Sequence, residues 1–246
     1  PSNNHYAAAT LNEILGPEAL AKASVHEAAE LSSGVLLSQA SGHFKFCPLP
    51  RPAQIAPVQG MAAADFDGDG NCDLLLAHND YSPIPAVGRW DGGLGLLLRG
   101  DGHGNFVPVP PMESAWSVSG DAKALAVVDL DGDHRPDAIV SRNNETLLAF
   151  RNTGRDARLD VAVRLRGRGG NPAAIGARII LECDGKNLSL EEIHAGSGFA
   201  NQSTATAFFS VPKESAASLK FHIHWPSGIS RDAPCPPSGG LLNVDE

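Results

Sequence analysis

Two stretches of the chain run apolar, then acidic and glycine-rich, then apolar again. The first is GMAAADFDGDGNCDLLLAHND, from Gly60 to Asp80. The second is AKALAVVDLDGDHRPDAIVSRNN, from Ala122 to Asn144, with Asp65 aligning on Asp129. Each reads as an apolar strand, a tight polar loop and a second apolar strand. A shorter element recurs around them, a Leu-rich strand followed by a glycine turn. It appears as GVLLSQASGHFKF (Gly34 to Phe46), GLGLLLRGDGHGNF (Gly93 to Phe106) and TLLAFRNTG (Thr146 to Gly154). Glycine at such turns admits the positive φ that hairpins need.

Together these elements predict a repeated four-stranded antiparallel unit. In the first copy strand A ends at Asp65, B runs through Leu74 to Ala77, C through Leu94 to Leu98, and D starts at Phe106. Such a unit reads as a propeller blade. The chain holds one full blade, most of a second, and the last two strands of an earlier one. Propellers close with roughly 4–8 blades, so the expectation is an incomplete propeller, its remaining blades lying upstream or elsewhere. The opening residue is Pro1 rather than Met, which suggests a processed product or a fragment.

Before the blades, EALAKASVHEAAEL (Glu18 to Leu31) is rich in helix formers, and Pro17 suits a first helical turn. This predicts a helical insertion near residues 18–31. After Arg155 the texture changes to alternating stretches: LDVAVRLRG (Leu159 to Gly167), GARIILEC (Gly176 to Cys183) and LKFHIHW (Leu219 to Trp225). Alternation predicts half-buried antiparallel strands. The fold class expected is therefore all-β, with propeller blades and a helical insertion over 1–155 and a small β-sandwich or barrel over 156–246.

The bulk composition agrees with a globular chain. Hydrophobic residues make up 42% and charged residues 19%, and Gly 26 and Pro 18 suit many short strands joined by turns. The formal charge of -9 argues against a nucleic-acid partner. Eight of the 28 acidic residues fall in the two loops, where bound cations would offset them. Cys47, Cys72, Cys183 and Cys235 show no zinc spacing and leave disulfide or free-thiol states open. No apolar run is long enough to span a membrane, and no signal peptide is visible.

The loops carry the candidate chemistry. Loop one is Asp65-Phe-Asp67-Gly-Asp69-Gly-Asn71-Cys-Asp73, and loop two is Asp129-Leu-Asp131-Gly-Asp133-His-Arg135-Pro-Asp137. Both spell DxDxDxxxD. Four carboxylates in so short a span repel one another, and a hard divalent cation removes that cost. Calcium takes about 6–8 oxygens at roughly 2.3–2.6 Å from flexible loops. Side chains at positions 1, 3, 5 and 9 can converge on one ion, with the carbonyl of Asn71 or Arg135 as a further oxygen. Gly68, Gly70 and Gly132 let the backbone curl, and His134 stands where loop one has its second glycine. Two calcium sites are therefore expected, structural in role. An EF-hand is rejected because position 12 is Leu76 or Val140 and the flanks are strand-like.

DFDGDGNCDLLL and DLDGDHRPDAIV, with the strand-turn elements around them, resemble FG-GAP/VCBS repeats of integrin-type propellers and bacterial secreted proteins over roughly residues 34–155. The C-terminal part is similar to ASPIC/UnbV domains through NPAAIGARI (Asn171 to Ile179), GSGF (Gly196 to Phe199), Gln202-Ser203, WPSG (Trp225 to Gly228) and the final LLNVDE. It departs at Phe209-Ser210-Val211-Pro212, where the family tends to a Phe-Gly-Leu-Gly stretch. Repeats followed by this domain resemble the cartilage acidic protein family and its bacterial relatives. The resemblance implies a secreted or extracytoplasmic calcium-binding adhesion or scaffolding module with a protein or glycan partner and no established catalytic activity.

Other motifs read more simply as structure. His26-Glu27-Ala-Ala-Glu30 lacks the second histidine of a zinc helix. His222 and His224 share a strand face, as Arg164, Arg166 and Arg168 do, and solvated faces explain both. Ser210-Val-Pro-Lys213 matches SxxK without its partner motifs. Asn144, Asn187 and Asn201 open glycosylation sequons. The Tyr81 to Trp90 loop is either a contact surface or a packed loop. The reading is a non-enzymatic calcium-stabilised binding module. The alternatives are a structural subunit of a larger assembly, with open blade edges to pair, and a glycan-acting enzyme. The loop carboxylates are clustered in ligand spacing rather than opposed across a cleft, which disfavours the enzyme.

Overall fold

A computed structural model describes residues 2–40, 42–154 and 158–246. The chain divides into two compact units, Pro1–Ser32 and Ser33–Glu246. The first carries three short helices, α1 (Asn3–Ala8), α2 (Leu11–Leu15) and α3 (Pro17–Ala21). Thr10 closes a capping box with Glu13 at the start of α2, and Pro17 opens α3 as its sequence position predicts. No residue of these helices is buried. The helix expected over Glu18 to Leu31 is therefore confined to Pro17–Ala21. Ser24, Val25 and His26 are weaker helix formers, and Val25 is 87% exposed, so no packed face prolongs the helix.

The second unit is built from β-strands. A hairpin of β1 (Gly34–Ser38) and β2 (Phe44–Pro48) precedes a four-stranded antiparallel meander. Its strands are β3 (Val58–Ala64), β4 (Asp73–His78), β5 (Leu96–Gly100) and β6 (Phe106–Val109), paired in that order. This is the unit expected from the first repeat. The second repeat forms a three-stranded antiparallel sheet of β7 (Ala122–Val128), β8 (Asp137–Arg142) and β9 (Leu148–Phe150).

Every residue of β4 is buried, because the sheet is covered on both faces. Leu74 and Leu76 pack with Leu96, Leu98 and Val35. Leu75 and Ala77 point the other way, into a core shared with Leu125, Val127, Ala138 and Val140. A strand buried on both sides reads as a continuous apolar run, which LLLA is. Gly60 on β3 lies against β7 so closely that a Cβ there would sit 2.9 Å from the Cβ of Leu125.

The C-terminal part holds two sheets. One has four strands in the order β12 (Lys186–Glu192), β11 (Arg178–Cys183), β14 (Leu219–His224), β15 (Ser230–Pro234). The other has three, β13 (Thr206–Pro212), β10 (Arg158–Arg166) and β16 (Gly240–Asp245). Val161, Val163, Phe209 and Val211 from one sheet and Ile179, Leu181, Phe221 and Ile223 from the other share a single core. That is the sandwich option of the expected sandwich or barrel. The pairing is not all antiparallel, however: β10 runs antiparallel to β13 and parallel to β16. Alternation reports which face is buried, not the direction of the neighbour. The expected domain boundary between residues 155 and 156 lies outside the described residues.

The three-stranded C-terminal sheet is also covered on its second face. Phe209 enters the sandwich core while its neighbour Phe208 packs into the core of the repeat sheets. The segment after β12 reinforces this contact. Asn201 Nδ2 donates to the Leu125 carbonyl at 2.6 Å, Thr204 N to the Val127 carbonyl at 2.9 Å, and Val127 N to Ser203 Oγ at 3.0 Å. The repeat sheets and the sandwich thus meet through backbone as well as side chains.

Candidate metal centre

Each aspartate loop joins the first two strands of a repeat, β3 to β4 and β7 to β8. The loop backbone is curled by hydrogen bonds to its own carboxylates. In loop one Asp65 Oδ1 accepts from Asp69 N at 3.0 Å and Oδ2 from Gly70 N at 2.8 Å. In loop two Asp129 Oδ1 accepts from Gly132 N at 2.8 Å and Oδ2 from His134 N at 3.2 Å. The fifth-position carboxylates do the same job further on: Asp69 accepts from Asn71 N at 2.7 Å and Asp133 from Arg135 N at 3.0 Å. Gly68, Gly70 and Gly132 take positive φ, and His134 takes φ 70, the left-handed conformation its place in the loop requires.

The ninth-position aspartates are the best buried. Asp73 is 0% and Asp137 1% exposed. Asp73 Oδ2 accepts from Phe66 N at 3.0 Å, and Oδ1 from Gly100 N at 2.9 Å. Asp137 Oδ2 accepts from Leu130 N at 2.7 Å, and Oδ1 from Asn152 N at 2.6 Å. These residues tie the loop to the end of the third strand of its own sheet.

The result is two acidic triads. One ligand oxygen each from Asp65, Asp67 and Asp73 lies within 4.8 Å of the others, and the same holds for Asp129, Asp131 and Asp137. Asp69, Asn71, Asp133 and Arg135, the other expected site residues, lie in the same loops outside these triads. The Asn71 amide rests against Gly102, where a Cβ would approach Oδ1 to 2.6 Å. The Arg135 side chain reaches away to Asp160, Nε to Oδ2 at 2.6 Å, and to the Thr153 carbonyl at 2.9 Å.

Two carboxylates of the first triad sit where burial disfavours their charge. Burial pushes Asp65 up to about 7 against the pull of the Gly70 N–H, with Asp73 and Asp69 adding repulsion. Burial likewise raises Asp73 to about 6, against its bond from Gly100. Carboxylates held this way favour a proton or a cation. The donor set is oxygen only, which suits a hard divalent ion rather than a thiolate- or imidazole-seeking one. The two acidic clusters can hold a metal ion.

Two residues of the site were not singled out by their spacing. Arg99 Nε donates to Asp67 Oδ2 at 2.5 Å, and Arg151 Nη1 to Asp131 Oδ2 at 3.3 Å. They occupy matching places, next to Gly100 and Asn152. The sequence trace is an arginine closing two of the three Leu-rich strands, in LLLRG and LLAFRN.

Both loops press on the C-terminal sheet. Ser210 Oγ donates to the Gly68 carbonyl at 3.2 Å, and the Arg158 guanidinium packs over Gly70 while donating to the Ser210 carbonyl at 2.6 Å. The Ser210 of the SxxK match is thus held in a loop contact. The other motifs settle as structure too. His26 lies outside any helix, and its ring meets Ser24. His222 and His224 share a face but have separate partners, Glu182 and Asp232 for one and Ser230 for the other. All four cysteines are free. Trp90 bridges to Asp80 and stays half exposed. Arg164 and Arg166 line an open cavity of about 450 Å³, while Arg168 contributes its backbone N–H to Glu246.

Residues 167–246 match the sequence model of the ASPIC and UnbV family. That segment takes in β11 to β16, and the Gln202-Ser203 stretch docked on β7. Over 218 residues the chain is 25% identical to cartilage acidic protein 1 of Mus musculus, covering 85% of this chain and 32% of that protein. Over 206 residues it is 25% identical to cartilage acidic protein 1 of Homo sapiens, covering 82% of this chain and 30% of that protein. The chain therefore spans about a third of the length of the curated relatives it matches. Among the described residues no helix is long and apolar enough to cross a membrane.

Proposed function

We propose that this chain is a calcium-binding, non-enzymatic module of the extracytoplasmic space, in which the two loops hold structural ions. The observation that carries the reading is the pair of triads, Asp65–Asp67–Asp73 and Asp129–Asp131–Asp137, with their oxygens within 4.8 Å of one another. These residues would hold the ions, assisted by Asp69 and Asp133 and by the carbonyls of Asn71 and Arg135. A bound calcium ion would supply positive charge that lets the loop stay curled. The protein's own contribution is the frame, in which Asp73 and Asp137 fix each loop to the strand behind it. These carboxylates are hydrogen-bonded to loop backbone or paired with arginines, which supports a structural rather than catalytic use.

The stacked repeat sheets support FG-GAP/VCBS blades of a propeller, with the ASPIC/UnbV part as a docked sandwich. The similarity to cartilage acidic protein 1 is consistent with an extracellular placement, and the adhesive or scaffolding role toward a protein or glycan is part of the proposal. A second reading, a piece of a larger assembly, is favoured by β9, which lacks a fourth strand beside it among the described residues. Calcium titration of the wild-type chain and of loop variants tests the proposal.

A further inference from the structure

Arg99 and Arg151 are a cationic feature that both repeats place in the same spot. Arg99 ends β5 just before Gly100, whose N–H holds Asp73. Arg151 follows β9 just before Asn152, whose N–H holds Asp137. Each guanidinium takes an oxygen of the third-position aspartate, Asp67 at 2.5 Å and Asp131 at 3.3 Å. Asp67 also accepts the Asp69 N–H at 3.2 Å through its other oxygen. Each triad thus has an arginine against its third-position aspartate, and loop two adds His134 Nδ1 at 3.6 Å from Asp129 Oδ2 and Arg135 Nη1 at 3.5 Å from Asp133 Oδ2.

We propose that Arg99 and Arg151 set the cation affinity of the two loops, acting as resident counter-charges with which an incoming divalent ion must share Asp67 or Asp131. This rests on the calcium reading above and specifies what tunes it. A guanidinium against a ligand carboxylate repels the ion and occupies lone pairs the ion would use. It also keeps the loop from flying apart when no ion is bound. The two effects separate in experiment, because one opposes binding and the other supports the ion-free fold.

The repeats differ in how strongly they apply this device. The Arg99–Asp67 side chains are 38% and 13% exposed, whereas those of Arg151–Asp131 are 63% and 33% exposed. Water screens the second pair more, and its bond is longer. Of the two arginines, Arg99 should therefore matter more to its own loop than Arg151 does to its loop.

The test is calorimetric calcium titration of the full chain, as wild type and as Arg99→Gln, Arg99→Lys and Arg151→Gln, with thermal unfolding in chelator and in saturating calcium. Arg99→Gln should tighten the loop-one site, the one that Asp65→Asn removes, about tenfold. Arg151→Gln should tighten the other by no more than about threefold, and Arg99→Lys should stay near wild type. Arg99→Gln should lower the melting temperature in chelator yet widen the calcium-induced rise. A merely structural arginine would lower melting equally with and without calcium. Calcium binding in wild type that Arg99→Gln weakens or leaves unchanged overturns the inference alone. Absence of binding in wild type and variants alike overturns the calcium reading and the inference with it. If Arg99→Gln does not fold, Arg99→Lys decides by its affinity at high and low salt: screening should tighten its loop-one site relative to its loop-two site, and an unchanged ratio would count against the inference.

Discussion

The Asp137 carboxylate accepts the Asn152 backbone N–H at 2.6 Å, and Asp73 does the same with Gly100 at 2.9 Å. Each bond closes a loop onto the third strand of its sheet, so the loop and the strand pairing behind it are one structural unit. Both carboxylates are nearly inaccessible to solvent. Removing either carboxylate would take from these backbone donors the acceptor they have in the folded loop.

Asp73→Ala should therefore destabilise the ion-free chain by about 2–4 kcal/mol, since it strands several N–H groups at once. Asp69→Ala, which removes an acceptor at the exposed tip of the loop, should cost about 1 kcal/mol or less. Urea unfolding in chelator compares the two. Equal losses would mean that Asp73 is no more than a loop-tip residue.

The contact between loop two and the sandwich rests on Arg135 and Asp160, whose Nε and Oδ2 lie 2.6 Å apart with side chains 19% and 20% exposed. A double-mutant cycle with Arg135→Gln and Asp160→Asn should give a coupling of roughly 1 kcal/mol. Hydrogen exchange in β10 and β13 should rise in either single variant. No coupling would place the pair among surface ion pairs without weight.

On the outer face of the four-stranded C-terminal sheet, His222 lies between Glu182 and Asp232, with Lys220 on the far side of Glu182. The Glu182 bond and then the Asp232 bond raise its pKa above the ordinary 6.5. The sign follows from linkage. The charged imidazole contributes fully below the unfolded value of 6.5, and that contribution fades as pH rises through the higher folded value. An NMR titration should show His222 titrating above a free histidine, and Glu182→Gln should lower it. A His222 that titrates at or below the free value would refute this network.

Much of the frame is legible in the residues. The DxDxDxxxD spacing marks both loops, LLLA marks a strand covered on both faces, and the alternation from Leu159 marks the sandwich. What escapes is whatever depends on partners far away in the chain. Arg99 and Arg151 look like ordinary exposed arginines until the strand register carries them to Asp67 and Asp131. The parallel pairing of β10 with β16 is invisible because alternation gives the buried face and not the neighbour. The helix expected over Glu18 to Leu31 stops at Ala21 because propensity alone, with no buried face, does not sustain it. Asp69 and Asp133 share the loop spacing of the triad residues, and only the folded loop separates them, by bringing an oxygen from each of the other three within 4.8 Å of one another.

The most direct measurement is calcium titration into the chelator-treated chain, with thermal unfolding alongside. The account predicts about two sites and a clear rise in melting temperature, since an ion that binds only the folded loops stabilises them by mass action. Asp65→Asn should remove one site and Asp129→Asn the other. No heat of binding and an unchanged melting temperature would contradict the account, leaving the two loops as acidic turns held by their own backbone.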